Sequence, residues 1–170
     1  MVLSEQEYNY VWEKVYNELG FHPSVYEDIV PFSVSMPYVV YDISKTASKS
    51  IEDSDALITE AFIACTNSGD LMYALDWQHA GFLFDPRDLT QPMCEFVEDS
   101  RFDNGGYYAV FPSYYPDGDY YFFIDRQFRF GYLSHPWREE VWIFGEELIS
   151  AFDKIYTRLG WSKDPMTSCL

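Results

Sequence analysis

The sequence predicts an α+β fold: an antiparallel sheet of about six to seven strands, with N-terminal, middle and C-terminal helices packed mainly on one face. Three observations predict it. Helical periodicity marks both ends and one internal segment, strand-like runs cluster between them, and the strand runs of the second half follow one another without helices. The last point disfavours a doubly wound parallel sheet, which needs a crossover between strands. Aromatic residues make up 20% of the chain, and 15 Tyr and 14 Phe suit the pleated surface of a sheet. At 170 residues the chain is long enough for one domain with a sizeable core. Residues 1–161 are assigned to a single α+β domain and 162–170 to a C-terminal tail.

Ser4 and Glu7 fit a capping box, in which each side chain satisfies a free backbone donor of the first turn. Tyr8, Val11, Trp12, Val15, Tyr16 and Leu19 then recur at helical spacing, and Gly20 is placed to end the helix. Residues 21–36, with Pro23 and Pro31, form a connector before the strand PYVVYDI at 37–43. A polar loop at 44–50 carries Lys45 and Lys49. The second helix spans about 53–65, with Leu57, Ile58, Ala61, Phe62 and Cys65 on one side, and NSGD at 67–70 ends it. Residues 71–77 and 80–84 read as two strands joined near Gln78 and His79, followed by a loop at 86–92.

The segment 93–106 carries Glu95, Glu98, Asp99 and Asp103, ends in Asn-Gly-Gly, and is expected to be a mobile excursion. Residues 111–145 hold the densest aromatic run and organise the rest. A strand at 107–111 leads into the turn Pro116-Asp117-Gly118, and strands at 119–124 and 128–133 pair across a three-residue connection at 125–127. Pro136 breaks the sheet, 140–144 is one more strand, and 145–159 is an amphipathic helix capped by Gly160. The remainder is expected to fray.

Twenty-eight acidic residues against 11 basic ones give a formal charge of −17. Such a field repels phosphate backbones and steers basic partners, so a basic protein is expected and nucleic acid is not. Cys65, Cys94 and Cys169 have no metal-type spacing and no disulfide pattern, which fits a reducing compartment. The N-terminal residues lack the pattern of a signal peptide and no apolar run matches a membrane span. The expectation is a cytoplasmic protein, monomeric or a small homo-oligomer.

Four segments in order resemble a known family: LDWQH at 75–79, PDGDYY at 116–121, FGYLSHPW at 130–137 and IFGEEL at 143–148. Together they are similar to the bacterial family catalogued as domain of unknown function 2716, and the likeness runs from the first helix through the last. The stretch 98–106 is longer and more acidic than that resemblance implies, and Ser134 stands where glycine is usual. The resemblance implies a fold and no activity. In architecture and composition the chain is also similar to bacterial immunity proteins that neutralise secreted toxins.

His79 and His135 are the chemically interesting residues. With Asp76 and Asp119 they form a candidate metal set, provided the sheet brings all four to one edge. Without HxH or HExxH spacing, the alternative is that each histidine hydrogen-bonds locally while Asp117 and Asp119 shape the turn at Gly118. No GxSxG elbow and no glycine-rich phosphate loop is present, so no cofactor is expected. Tyr114, Tyr115, Tyr120, Tyr121, Tyr132, Trp137 and Trp142 cannot all be buried on one face of alternating strands. Tyr114, Tyr115, Asp117, Asp119, Tyr121, Tyr132 and Trp137 are therefore the candidate partner-binding residues. The resulting expectation is a non-enzymatic acidic module that binds a basic protein, with a toxin-neutralising immunity protein as its specific form. The alternative is a metal-dependent enzyme using His79, His135 and nearby aspartates.

Overall fold

The computed structural model describes residues 1–26, 30–45, 51–88 and 90–164. Lys49 and Cys169 lie outside the described residues. Helix α1 (Glu5–Glu18) begins where the capping box predicts, with Ser4 Oγ accepting from the Glu7 amide at 3.3 Å. It is followed by β1 (Tyr38–Asp42), α2 (Ile51–Cys65), β2 (Met72–Asp76), β3 (Gly81–Phe84), β4 (Cys94–Glu98) and β5 (Gly106–Val110). The second half contributes β6 (Tyr121–Asp125), β7 (Gly131–His135), β8 (Glu140–Phe144), α3 (Glu146–Phe152), α4 (Tyr156–Leu159) and β9 (Ser162–Lys163).

Seven strands form one antiparallel sheet in the order β3-β2-β6-β7-β8-β1-β9, and β4 and β5 form a separate two-stranded sheet. The fold is α+β, as the clustering of strand runs predicts. β6 and β7 are buried along their whole length, so each needs a covering layer on both faces. Side chains alternate accordingly. Phe123, Tyr132 and Ile143 share a core with Phe62 of α2, Phe152 of α3 and Leu159 of α4. Phe122, Leu133 and Trp142 share the other core with Val11, Trp12 and Val15 of α1. Three helices thus cover one face, and α1 with Phe21 and Phe32 of the connector covers the opposite one.

Four local differences from the sequence reading have physical causes. Residues 94–98 are a strand, because the segment alternates and finds a partner in β5. The β6–β7 turn closes with the Asp125 amide donating to Phe130 O at 3.0 Å, so pairing begins after Phe130 and not at Phe128. Buried Asp125 is satisfied there by Arg129, Nε to Oδ2 and Nη2 to Oδ1 both at 2.9 Å, a two-pronged pairing that a buried carboxylate requires. The C-terminal helix is interrupted after Phe152, where the amides of Lys154 and Ile155 switch to carbonyls three residues back, Ala151 and Phe152. Trp161 is only 3% exposed and stacks on Phe152, and Ser162 and Lys163 pair with β1, so the part of the predicted tail that is described is anchored. No helix among the described residues is long and apolar enough to cross a membrane.

Two glycines carry steric duties. Gly145 precedes α3 with φ of 86°, and a Cβ there would meet Arg129 O at 2.5 Å. Gly131 lies opposite Phe144, whose ring packs over the bare Cα; a Cβ would meet Phe144 Cζ at 2.4 Å. Gly131→Ala is therefore expected to destabilise the fold by about 1–3 kcal/mol, the usual cost of overpacking a core. The measurement is denaturant unfolding at constant slope, and an unchanged midpoint would contradict this packing.

Candidate functional site

The site starts from the pairing of β2 with β6, which sets Asp76 opposite Tyr121 at one end of the sheet. The β2–β3 turn then doubles back: the Asp76 amide donates to Ala80 O at 2.9 Å and the His79 amide to Asp76 O at 3.1 Å, with Gln78 at φ 68°. This turn folds His79 over its own strand end, where Nδ1 lies 3.0 Å from Asp76 Oδ1 and 3.5 Å from Asp119 Oδ2. Asp119 arrives from the Asp117-Gly118 turn that feeds β6. From the same turn, Asp117 Oδ1 accepts a hydrogen bond from the Tyr121 hydroxyl. One ligand atom each from Asp76, His79 and Asp119 lies within 4.8 Å of the other two.

The facing wall is the β4–β5 hairpin. Val97 and Tyr107 pack inward against the main core and Ala109 is buried, which fixes the hairpin over the sheet end. Between hairpin and sheet lies a cleft of about 820 Å³, with Asp76, His79, Asp119 and Tyr121 on one side and Phe102 and Tyr108 on the other. That volume is within the usual range of ligand sites. Arg101 reaches the cleft from the hairpin loop but is already engaged, its Nε 3.0 Å from both carboxylate oxygens of Asp99 and its Nη2 2.7 Å from Oδ2.

The electrostatics follow from crowding. Burial raises the Asp76 carboxyl above the usual carboxylate range; the hydrogen bond to His79 opposes this, while the charges of Asp119 and Asp117 add to it. The hydrogen bond to Asp76 raises the His79 imidazole above its ordinary value, aided by the charges of Asp76 and Asp119. Burial and then Asp117 raise the Tyr121 phenol. An ion pair as solvent-exposed as His79–Asp76 is worth only about 0.2–1 kcal/mol. That gain is small, so gathering two carboxylates at one exposed imidazole has little to offer stability.

His135 is elsewhere. Side chains on neighbouring positions of a strand point to opposite faces, and His135 falls on the α1 side with Tyr120, with no exposure to solvent. The Trp137 amide donates to its Nδ1 at 3.3 Å, so Nε2 carries the proton and faces Tyr120 Oη at 3.3 Å, while the Tyr120 hydroxyl donates to Ser24 O at 2.7 Å. Burial, reinforced by the Arg138 charge, lowers its pKa to about 4. The four-residue metal set therefore loses His135 and keeps Asp76, His79 and Asp119.

The predicted aromatic surface is corrected more heavily. Tyr132 is completely buried between α2 and α3, close to Phe62 and Phe152, because β7 is covered on both faces. Tyr114 packs on Phe123 and bonds Thr59 at 3.0 Å, and Tyr115 meets Trp161 edge-on. Trp137 is exposed but sits over Tyr120 on the other face. Asp119 and Tyr121 are the members that line the cleft, and Asp117 stands behind them, accepting from the Tyr121 hydroxyl. The sequence reading missed Phe102, Tyr107 and Tyr108, which line it. The usable signal was the pair of short runs CEFVE and GYYAV, carrying aromatic residues and valine on either side of a glycine-containing turn, a hairpin pattern.

A family model described as "Protein of unknown function (DUF2716)" matches residues 2–149, which takes in every residue of this cleft. The chain belongs to the DUF2716 family. A Bacillus subtilis (strain 168) protein described as "Uncharacterized protein YxiI" is 35% identical over 161 residues, 89% of this chain and 90% of the relative. No solved structure matches this DUF2716 protein.

The buried histidine gives a pH dependence of defined sign. Above pH about 6.5 His135 is neutral in both states; between about 6.5 and 4 only the unfolded chain takes up a proton, so its contribution to stability falls as pH falls. The full window corresponds to about 3 kcal/mol. Unfolding free energies measured across it should fall less steeply for His135→Phe than for the natural chain, and parallel curves would contradict a neutral buried imidazole.

Proposed function

We propose that this chain is an acidic, non-enzymatic binding module whose cleft receives a basic side chain of a partner protein. The carrying observation is the convergence of Asp76, Asp119 and His79 in a cleft walled by Phe102, Tyr107 and Tyr108. Carboxylates bind a guanidinium or ammonium by charge-assisted hydrogen bonds, and aromatic faces add cation–π attraction. Around the cleft, a net charge of −17 steers a cationic partner inward and disfavours nucleic acid. The specific form of this reading is an immunity protein that neutralises a basic toxin in the cytoplasm, supported by small size, charge and aromatic content.

A second reading rests on the three ligand atoms within 4.8 Å: a divalent cation held by Asp76, His79 and Asp119, serving a metal-dependent reaction in the same cleft. The two readings make different demands on His79. An imidazolium pairs with carboxylates, whereas a ligand must give up the Nδ1 proton.

One titration tests both. An oligoarginine peptide is titrated into the natural protein, the Asp76→Asn/Asp119→Asn variant and a Glu13→Gln/Glu60→Gln control that removes the same charge from exposed positions. The cleft pair should weaken binding by about tenfold or more, equivalent to about 1.4 kcal/mol, with the control close to the natural protein. Equal losses in both variants would show that general charge and not the cleft is responsible. Thermal stabilisation by Zn²⁺ that disappears in His79→Ala would select the metal reading instead.

A further inference from the structure

The hairpin wall of the cleft has an unusual presentation. Tyr107, Tyr108, Ala109 and Val110 of β5 all line the cavity. Successive side chains of a strand point to opposite faces, so four consecutive residues border one cavity where the edge of the strand, and not one of its faces, is turned toward it. β5 pairs with β4 on one side and, among the described residues, has no strand on the other. An unpaired edge is a row of backbone donors and acceptors ready to take a further strand. Beside it, the outer face of the hairpin exposes Phe96 (50%), Tyr108 (70%) and Val110 (58%), with Phe96 and Tyr108 directly opposed and their rings 5.1 Å apart. A contiguous exposed apolar surface of this kind marks an interaction site.

We infer that the cleft binds its partner by strand addition: an extended basic segment of the partner protein pairs with the free edge of β5. This rests on the reading of the cleft as a site for basic side chains and specifies how the partner enters it. Alternate residues of the added strand lie on opposite faces. One row covers the exposed Tyr108 and Val110, and the other carries lysine or arginine toward Asp76 and Asp119. Charge selects the occupant. A second copy of this chain would bring another −17 to a cleft already lined by Asp76, Asp99 and Asp119, and the two would repel. A basic partner gains from the same carboxylates, and its apolar residues have Phe96 and Tyr108 to cover.

The test uses a blocked peptide alternating Lys and Val, and twins methylated on every second backbone nitrogen in each of the two registers. Methylation removes the amide donors and keeps charge and side chains. Binding is measured by calorimetry and exchange of the β5 amides by hydrogen–deuterium exchange. Strand addition predicts that the parent peptide binds, that at least one twin binds tenfold or more weakly, and that the parent slows exchange within residues 106–110. Equal binding by the parent and both twins would overturn strand addition. If that binding were still lost in Asp76→Asn/Asp119→Asn, the cleft would stand as a charge site without edge pairing. Backbone-dependent binding that ignores those two substitutions would leave strand addition standing and remove the basic-side-chain reading. Failure of the parent to bind would overturn the inference outright.

Discussion

The two-residue period of β6 is the constraint on which the rest of the molecule depends. The strand is central and buried on both faces, so Tyr121 and Phe123 belong to the α2–α4 core while Phe122 and Ile124 belong to the α1 core. A slip of one residue would exchange those sets and bury the wrong surface on each side. The same register aligns Asp76 with Tyr121 and Tyr121 with Ser134. It therefore decides which polar groups emerge at the cleft and which are sealed beneath the helices. The site is a by-product of how the core is sorted.

That sorting explains why two histidines at the same end of one sheet have opposite character. His79 sits beyond the end of β2 in an exposed turn, where Asp76 and Asp119 draw a proton to it. His135 is inside β7, hydrogen-bonded to Tyr120 and held neutral by burial and the nearby Arg138 charge. Desolvation dominates where water is excluded, and local charge dominates where it is not. Joining both imidazoles to a single metal would require His135 to leave the α1 face, and the covered strand does not permit it.

Much of the fold was legible because its signals are local. Ser4 and Glu7 announced α1, the short apolar run at 140–144 announced β8, and the PDG turn at 116–118 placed Asp117 and Asp119 together. What escaped depends on contacts distant in sequence. Nothing near Tyr132 shows that Phe62 and Phe152 will bury it, and nothing near Trp161 shows that Phe152 will hold it in the core. The hairpin of β4 and β5 was obscured by its acids, since Glu95 and Glu98 read as a solvated loop until the strand pairing is known. For the site, the residue types Asp76, His79 and Asp119 were recoverable from motif positions, whereas the aromatic wall was not.

In the proposed function, the cleft between the sheet end and the hairpin is the surface that receives a cationic partner. The most direct measurement is an amide and imidazole NMR titration with argininamide, mapped residue by residue. Saturable shifts are expected at Asp76, His79, Asp119 and along 107–110, with His135 and Tyr132 undisturbed. Shifts concentrated at another acidic region, such as Asp55, Asp85 and Asp88 around the smaller cavity of about 360 Å³, would contradict it.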